Sequence, residues 1–480
     1  MLSFPRQVYE LVTTSPVKLL VFAFLLILML FPQDGGGNKD ARLATLAALT
    51  LDHSFAITNY PWTQDWAISP MNGQMYANKP PGPVILGAPV YFLIDRMALL
   101  APLSGQARQM QLYLDRNIYS HVLSLLLQAI PYACMTLLIV RWLTWQRISG
   151  LAIQFGGLAL LFGTTAVLFM NSYFGHGMAA LFVLAATYCL LRRYYALAGF
   201  LLGWAALSDY GAALITVPFI VSLVIQARRE GVGKALGWFI AGAFVPAVVW
   251  CIYHWTLFGH PLAIASRFSN PIFVEVSPQY SVWGLFSTTL NVDFLRELLI
   301  GSQRGLLFTQ PWVLVISLLS GIALVRKQHV HKDFLSLAVL ALGGLMVLLF
   351  FNSSFNGWYA GWTSGPRYLS SILPVFGILA SLLYPTLSLL MRRVLWLTLL
   401  VPLALFVVVY ATTILAPPEP LWLFYGNLLS QARTIRPVVN VITAGLILTG
   451  LTLISLAGRL GPLISSERIP QTHHPRSRGR

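Results

Sequence analysis

The residues best suited to chemistry here are a few charged groups in an otherwise apolar sequence. Asp40 and Arg42, with Asp34 shortly before them, stand just past the first hydrophobic segment. Lys79 opens "KPPGP" within "MYANKPPGPVILGAPVYFL", while Asp209 and Tyr210 fall in "SDYG" between two short apolar runs. Arg304 in "SQRGLLFTQPW" and Arg367 in "GPRYL" each sit at the mouth of another run. A carboxylate at a bilayer surface can take a proton from a hydroxyl. Lysine and arginine together can hold a phosphate, the first as a point charge and the second through a bidentate fork. The residue types thus point to proton abstraction beside phosphate binding.

The elements that must position these groups are membrane spans. The chain is 57% hydrophobic and only 10% charged, with a mean hydropathy of +0.72. A span needs roughly 20 apolar residues. The runs that fit are Pro16–Phe31, Ile118–Val140, Gly150–Met170, Gly177–Leu191, Ala196–Leu207, Gly211–Ile225, Ala235–Leu257, Gly305–Val325, Phe334–Phe351, Arg367–Tyr384, Val394–Ala416 and Pro437–Leu456. The first follows Arg6 and Lys18 without a small-residue cleavage site, so it reads as an anchor rather than a removable signal. The net charge of +16 suits nucleic acid in magnitude but not in placement. With the N-terminus inside, the basic pairs Arg192–Arg193, Arg228–Arg229, Arg326–Lys327 and Arg392–Arg393 all fall on inward connections, the positive-inside pattern. The excess charge sets orientation and meets anionic lipid.

That topology puts the unusual sequence outside, in long loops over 32–117 and 258–304 and in the compact "NSSFNGWYAGWTSGPRYL". In the first loop "ARLATLAALTL" has the spacing of a short helix lying on the membrane, and Val84–Leu100 reads as an interfacial or re-entrant helix rather than a span. One transmembrane domain over 1–460 with a disordered basic tail over 461–480 is the expected organisation.

Each charged residue has a structural reading beside the functional one. Asp40 suits a helix N-cap as well as a base; Asp34 is the second choice, and Asp52 and Asp65 read as solvated loop residues. Lys79 is held by its prolines, with snorkelling to headgroups as the alternative. Trp358, Tyr359, Trp362 and Tyr368 suit an aromatic belt or the stacking of sugar rings. Tyr173 and His176 in "NSYFGHG" are brought to the outer face, and Asp209 requires a cationic partner such as Lys79 or an arginine. No nucleotide loop, HExxH or ligand-spaced cysteine set is present among Cys134, Cys189, Cys251 and the rest of the chain, so no metal ligands are assigned.

The Asp-x-Arg at the head of a long first outward loop, followed some forty residues later by Lys-Pro-Pro and then by many spans, resembles the polyprenyl-phosphate-sugar-dependent glycosyltransferases of the GT-C fold. The likeness is to the protein O-mannosyltransferase-like and lipid A aminoarabinose transferase-like members, and "RGLLFTQPW" and "GWYAGWTSGPRYLSSILP" share in it. It implies an all-α polytopic bundle of about 12 transmembrane helices. The implied reaction moves a sugar from a polyprenyl-phosphate donor to an acceptor hydroxyl outside the membrane, with inversion. Asp40 falls on the family's catalytic acid and Lys79 on the lysine near its donor phosphate; Arg42, Arg304 and Arg367 are read beside Lys79 as further phosphate-binding cations, and Arg supplies the bidentate geometry. Tyr173, His176, Asp209, Tyr210 and the four aromatics are left for sugar or acceptor. Ala41 stands where many members carry a second acid, which leaves a divalent-cation cofactor open. The expected location is a bacterial inner membrane with both termini cytoplasmic. A transporter or lipid flippase using the break at Asp209, and a surface-polysaccharide ligase or polymerase, are the alternatives.

Overall fold

The computed structural model of the chain describes residues 6–97, 116–272, 277, 280–328 and 330–431. The expected span Pro437–Leu456 and the basic tail lie outside the described residues.

The architecture is all-α. In chain order the helices are α1 Arg6–Leu30, α2 Gly36–Leu51, α3 Gly82–Met97, α4 Arg116–Trp145, α5 Gly150–Phe162, α6 Gly175–Leu191, α7 Tyr195–Ser208, α8 Thr216–Glu230, α9 Ala235–Phe258, α10 Val292–Ile300, α11 Pro311–Val325, α12 Phe334–Ser354, α13 Val375–Leu383, α14 Leu389–Ala411 and α15 Leu421–Gln431. Among the described residues five helical segments are long and apolar enough to cross a membrane: α4, Tyr210–Glu230 (a 3-10 turn running into α8), α9, α12 and α14. The other expected spans within the described residues form shorter apolar helices. A helix carries its backbone hydrogen bonds within itself, which is why an apolar chain in lipid takes this form. α9 leaves Trp238, Phe244, Ile252 and Trp255 exposed, as a lipid-facing helix does. The core is aromatic at its centre: the Phe162 and Phe406 rings meet edge-on at 5.0 Å, and the Tyr410 hydroxyl donates to the Val167 carbonyl at 2.8 Å.

Two of the expected spans are interrupted, and the interruptions repair each other. The run from Gly150 breaks after Phe162, and the run from Gly305 breaks at Gln310. Gln310 Oε1 accepts from the Thr165 amide at 3.1 Å, and Trp312 Nε1 donates to the Gly163 carbonyl at 2.6 Å. Irregular backbone survives at this depth because side chains take up the freed groups. The segment 367–374 is likewise a run of turns, with helix beginning only at Val375.

The first loop departs from its expected form. α2 does not lie free on a membrane surface: Ala41–Ala48 are buried, and Leu43, Leu46 and Ala47 pack with Val84 and Tyr91 of α3 and with Tyr173. Between α2 and α3 a short antiparallel hairpin pairs β1 Trp66–Ile68 with β2 Met75–Ala77.

Two glycines let the loop and the bundle meet. A Cβ on Gly82 would sit 2.6 Å from the Leu207 carbonyl oxygen, and one on Gly175 would sit 2.1 Å from that of Ser208. The Lys-Pro-Pro-Gly turn and the start of α6 therefore both seat against the end of α7. Overpacking of this kind costs about 1–3 kcal/mol. Gly175→Ala is expected to lower the thermal midpoint in detergent by several degrees. Gly237→Ala, with open space around that position, should leave it unchanged; equal midpoints for the two variants would refute the close approach.

Candidate active site

At the end of the bundle where α6 begins and α7 ends lies a cavity of about 480 Å³. Its polar wall holds Asn38, Arg42, Asn78, Lys79, His176, Ser208, Asp209 and Arg367, and its apolar wall includes Trp250, Leu262, Ile264, Phe286, Phe351 and Tyr368. α2 supplies Asn38 and Arg42, which are one helical turn apart and so share a face. The Arg42 guanidinium is buried, donates to the Asn38 carbonyl at 3.0 Å and contacts the Asn38 side chain. Its Nε has no hydrogen-bond partner among the described residues, and the same holds for Arg367 Nε and Asn78 Oδ1. Arg367 stands on the 3-10 turn Arg367–Leu369 with its guanidinium 5.4 Å from the Tyr368 ring and 5.8 Å from that of Phe174.

Lys79 is placed by the hairpin. The register puts Trp66 opposite Ala77, the Asn78 amide donates to the Asp65 carbonyl at 3.2 Å, and the next side chain, Lys79 Nζ, lies 3.3 Å from Asp65 Oδ1. Asp65 is thus a buried ion-pair partner, not the solvated loop residue its sequence context suggests; Asp52 is exposed. Strands of three residues give too little alternation to reveal this pairing. The Tyr173 hydroxyl, donating to the Pro83 carbonyl at 2.6 Å, ties the turn to the bundle. Tyr173 is fully buried behind the cavity and does not reach it. Burial pushes Lys79 down to about 8, with Arg367 and Arg42 adding to the fall and Asp65 opposing it. Burial likewise lowers Arg42 to about 10.

Asp209 has His176, rather than Lys79 or an arginine, as its hydrogen-bonded partner: Nδ1 and Oδ2 are 2.9 Å apart. Asp209 also caps the turn that follows, its Oδ1 accepting from the Gly211 amide at 3.3 Å. Tyr210 lines the cavity and meets His254, a residue not singled out from sequence. His254 Nδ1 donates to the Trp250 carbonyl at 2.8 Å, so its Nε2 accepts from the Tyr210 hydroxyl at 3.0 Å.

The first-loop acids lie elsewhere. Neither Asp34 nor Asp40 lines the cavity. Asp40 sits in the second turn of α2 rather than at its cap, 3.7 Å from Lys39 Nζ and 3.9 Å from Arg116 Nη1. Asp34 accepts from the Gly36 amide at 2.9 Å and from Lys39 at 2.6 Å. Burial raises Asp40 above its ordinary value against the pull of Lys39 and Arg116. Burial would raise Asp34 too, but the Lys39 hydrogen bond and charge, aided by the Gly36 amide, bring it below. Arg304 is buried outside the cavity lining, donating to the Gly361 carbonyl at 2.5 Å with its guanidinium 5.8 Å from the Tyr359 ring. Trp358 stacks on Phe294 at 4.8 Å, and Trp362 is exposed; neither they nor Tyr359 line the cavity. Among the described residues no three histidine, cysteine, aspartate or glutamate side chains come together as a metal site.

No family model matches the sequence, and no curated protein does. Two solved structures resemble the fold. One is the crystal structure of ArnT from Cupriavidus metallidurans bound to undecaprenyl phosphate, with 15% identity and a TM-score of 0.46 over 95% of this chain and 80% of that one. The other is the cryo-EM structure of the arabinosyltransferase EmbB from Mycobacterium smegmatis, with 14% identity and a TM-score of 0.46 over 93% of this chain and 41% of that one. At these values neither likeness carries an assignment, which has to rest on the cavity itself.

The Lys79–Asp65 pair yields a direct check. Acylation of Lys79 by an amine reagent, followed by peptide mass spectrometry across pH, is expected to show a midpoint near 8. Asp65→Asn removes the group that favours the charged form, so the midpoint should fall further. An unchanged midpoint in that variant would show that the pair does not govern the lysine.

Proposed function

We propose that this chain is a membrane glycosyltransferase that takes a sugar from a polyprenyl-phosphate donor and passes it to an acceptor hydroxyl. One observation carries the reading: Arg42, Lys79 and Arg367 converge on a cavity whose remaining wall is mainly aromatic and aliphatic. Three cations with a single carboxylate among the lining residues suit a ligand that is itself an anion. The apolar wall suits an isoprenoid chain, and the faces of Trp283, Phe286 and Tyr368 suit a sugar ring. The Lys-Pro-Pro context in the first loop, with its resemblance to lipid-phosphate-sugar transferases, points the same way.

Placement supports an outward-facing site. The cavity ends of α6, α7 and the Tyr210–Glu230 segment are Gly175, Ser208 and Tyr210, while their far ends run into Arg192, Arg193, Arg228 and Arg229. If the basic ends mark the cytoplasm, the cavity opens on the other side. In the reaction, the acceptor oxygen attacks the anomeric carbon from the face opposite the phosphate, inverting it. Arg42, Lys79 and Arg367 hold the charge that develops on the departing polyprenyl phosphate. Arg304, close enough to Arg367 for the two charges to oppose each other, adds to the field without touching the donor. The acceptor is a lipid, polysaccharide or protein hydroxyl.

Removing one pre-organised cation from such a site costs about 100- to 1,000-fold in turnover. Lys79→Ala is expected to lose that much transfer from radiolabelled polyprenyl-phosphate hexoses and pentoses to membrane acceptors, with a thermal midpoint lowered by the unpaired Asp65 carboxylate and with Lys79→Ala/Asp65→Asn as the stability control. Arg367→Gln should lose transfer alike. Full transfer by a folded Lys79→Ala protein would overturn the assignment.

A further inference from the structure

We infer that His176 Nε2 takes the proton from the acceptor hydroxyl, with Asp209 as the residue that positions the imidazole. This rests on the glycosyltransferase reading above and replaces Asp40 as the base. Asp209 is the one carboxylate and His176 the one histidine among the described residues that line the cavity. Both are buried. The 2.9 Å contact directs the Nδ1 proton at Asp209 Oδ2, which leaves the ring's other nitrogen as the proton acceptor. The Gly211 amide fixes the carboxylate from its other oxygen. The ring itself is held by Tyr368, edge-on at 5.6 Å, and by Phe174, stacked at 6.2 Å.

The charges around the histidine explain why it comes paired. Burial is the largest influence against a positive imidazole, Asp209, at the junction of α7 and the following turn, favours it, and Arg367 beside Tyr368 and Arg42 on α2 oppose it. A lone histidine among those cations would be a poor base. As the acceptor oxygen bonds to the anomeric carbon, the bond from that carbon to the phosphate oxygen breaks and its electron pair leaves with the phosphate. The donor phosphodiester carries one negative charge and the departing monoester two, while the proton moves to His176. The new imidazolium and the new phosphate charge therefore appear together, each reducing the cost of the other.

Two measurements on the full-length protein in nanodiscs test this. The first is undecaprenyl phosphate affinity as a function of pH. In the wild type the product-like dianion should bind more tightly as pH falls and His176 takes up a proton. Charging of Lys79 near 8 and the second protonation of the phosphate at about 6 act on wild type and variant alike, so the acid-side increment is read as the difference between them: His176→Gln should lack it while binding as the wild type does at alkaline pH. The second is transfer from the labelled donors, expected to fall about 100- to 10,000-fold in His176→Gln, and to fall also in Asp209→Asn with binding retained. If the glutamine variant does not fold, Asp209→Asn carries the same test, its acid-side increment being reduced. If the wild type binds no undecaprenyl phosphate, the glycosyltransferase reading fails and this inference with it. If the wild type binds and transfers while both variants keep its transfer rate and its acid-side increment, the dyad is refuted and the reading stands.

Discussion

The structure is organised around like charges held together in a mostly apolar cavity. Arg42, Lys79 and Arg367 each come from a different segment and line one mostly apolar cavity, where unpaired like charges are costly. Asp65 offsets Lys79 from behind, and Asp209 is committed to His176. Among the described residues, Arg42 Nε and Arg367 Nε have no hydrogen-bond partner. A fold keeps such an arrangement when an anionic ligand offsets it, and the proposed donor, a phosphate carried on an apolar chain, would match both walls of the cavity.

Holding that arrangement explains several features that would otherwise be local oddities. The Lys-Pro-Pro-Gly turn fixes where the lysine emerges, the small hairpin brings its counter-charge, and the Tyr173 hydroxyl locks the turn to the bundle. Gly82 and Gly175 allow two backbones to press on the same helix end. The break at "SDYG" is what frees Asp209 to face the cavity while capping the turn that follows. These are small devices spread over more than a hundred residues, and they act on one point.

Much of the fold was legible because hydrophobic runs with basic residues at their ends report spans directly. The breaks at Gly163 and Gln310 were not, since hydropathy is continuous across them and only tertiary partners satisfy the freed groups. For the candidate site, lysine between an asparagine and two prolines marks a cation held by its backbone, and Lys79, Arg42, Arg367, Asp209, Tyr210 and Tyr368 all line the cavity. Asp65 has only a loop context in the sequence because three-residue strands leave no periodicity. Asp40 stands near the first span in sequence, yet helical geometry turns it away from the face that carries Asn38 and Arg42. His176 was noted without its partner, for nothing in "NSYFGHG" points to a carboxylate thirty-three residues on.

The most direct measurement is a cryo-EM structure of the protein in nanodiscs with undecaprenyl phosphate. The account predicts phosphate density between Arg42, Lys79 and Arg367, with the isoprenoid chain running along the wall of Trp250, Leu262 and Phe351. Density at Arg304 or at the Lys39–Arg116 cluster instead, with the cavity occupied by neither phosphate nor chain, would contradict it.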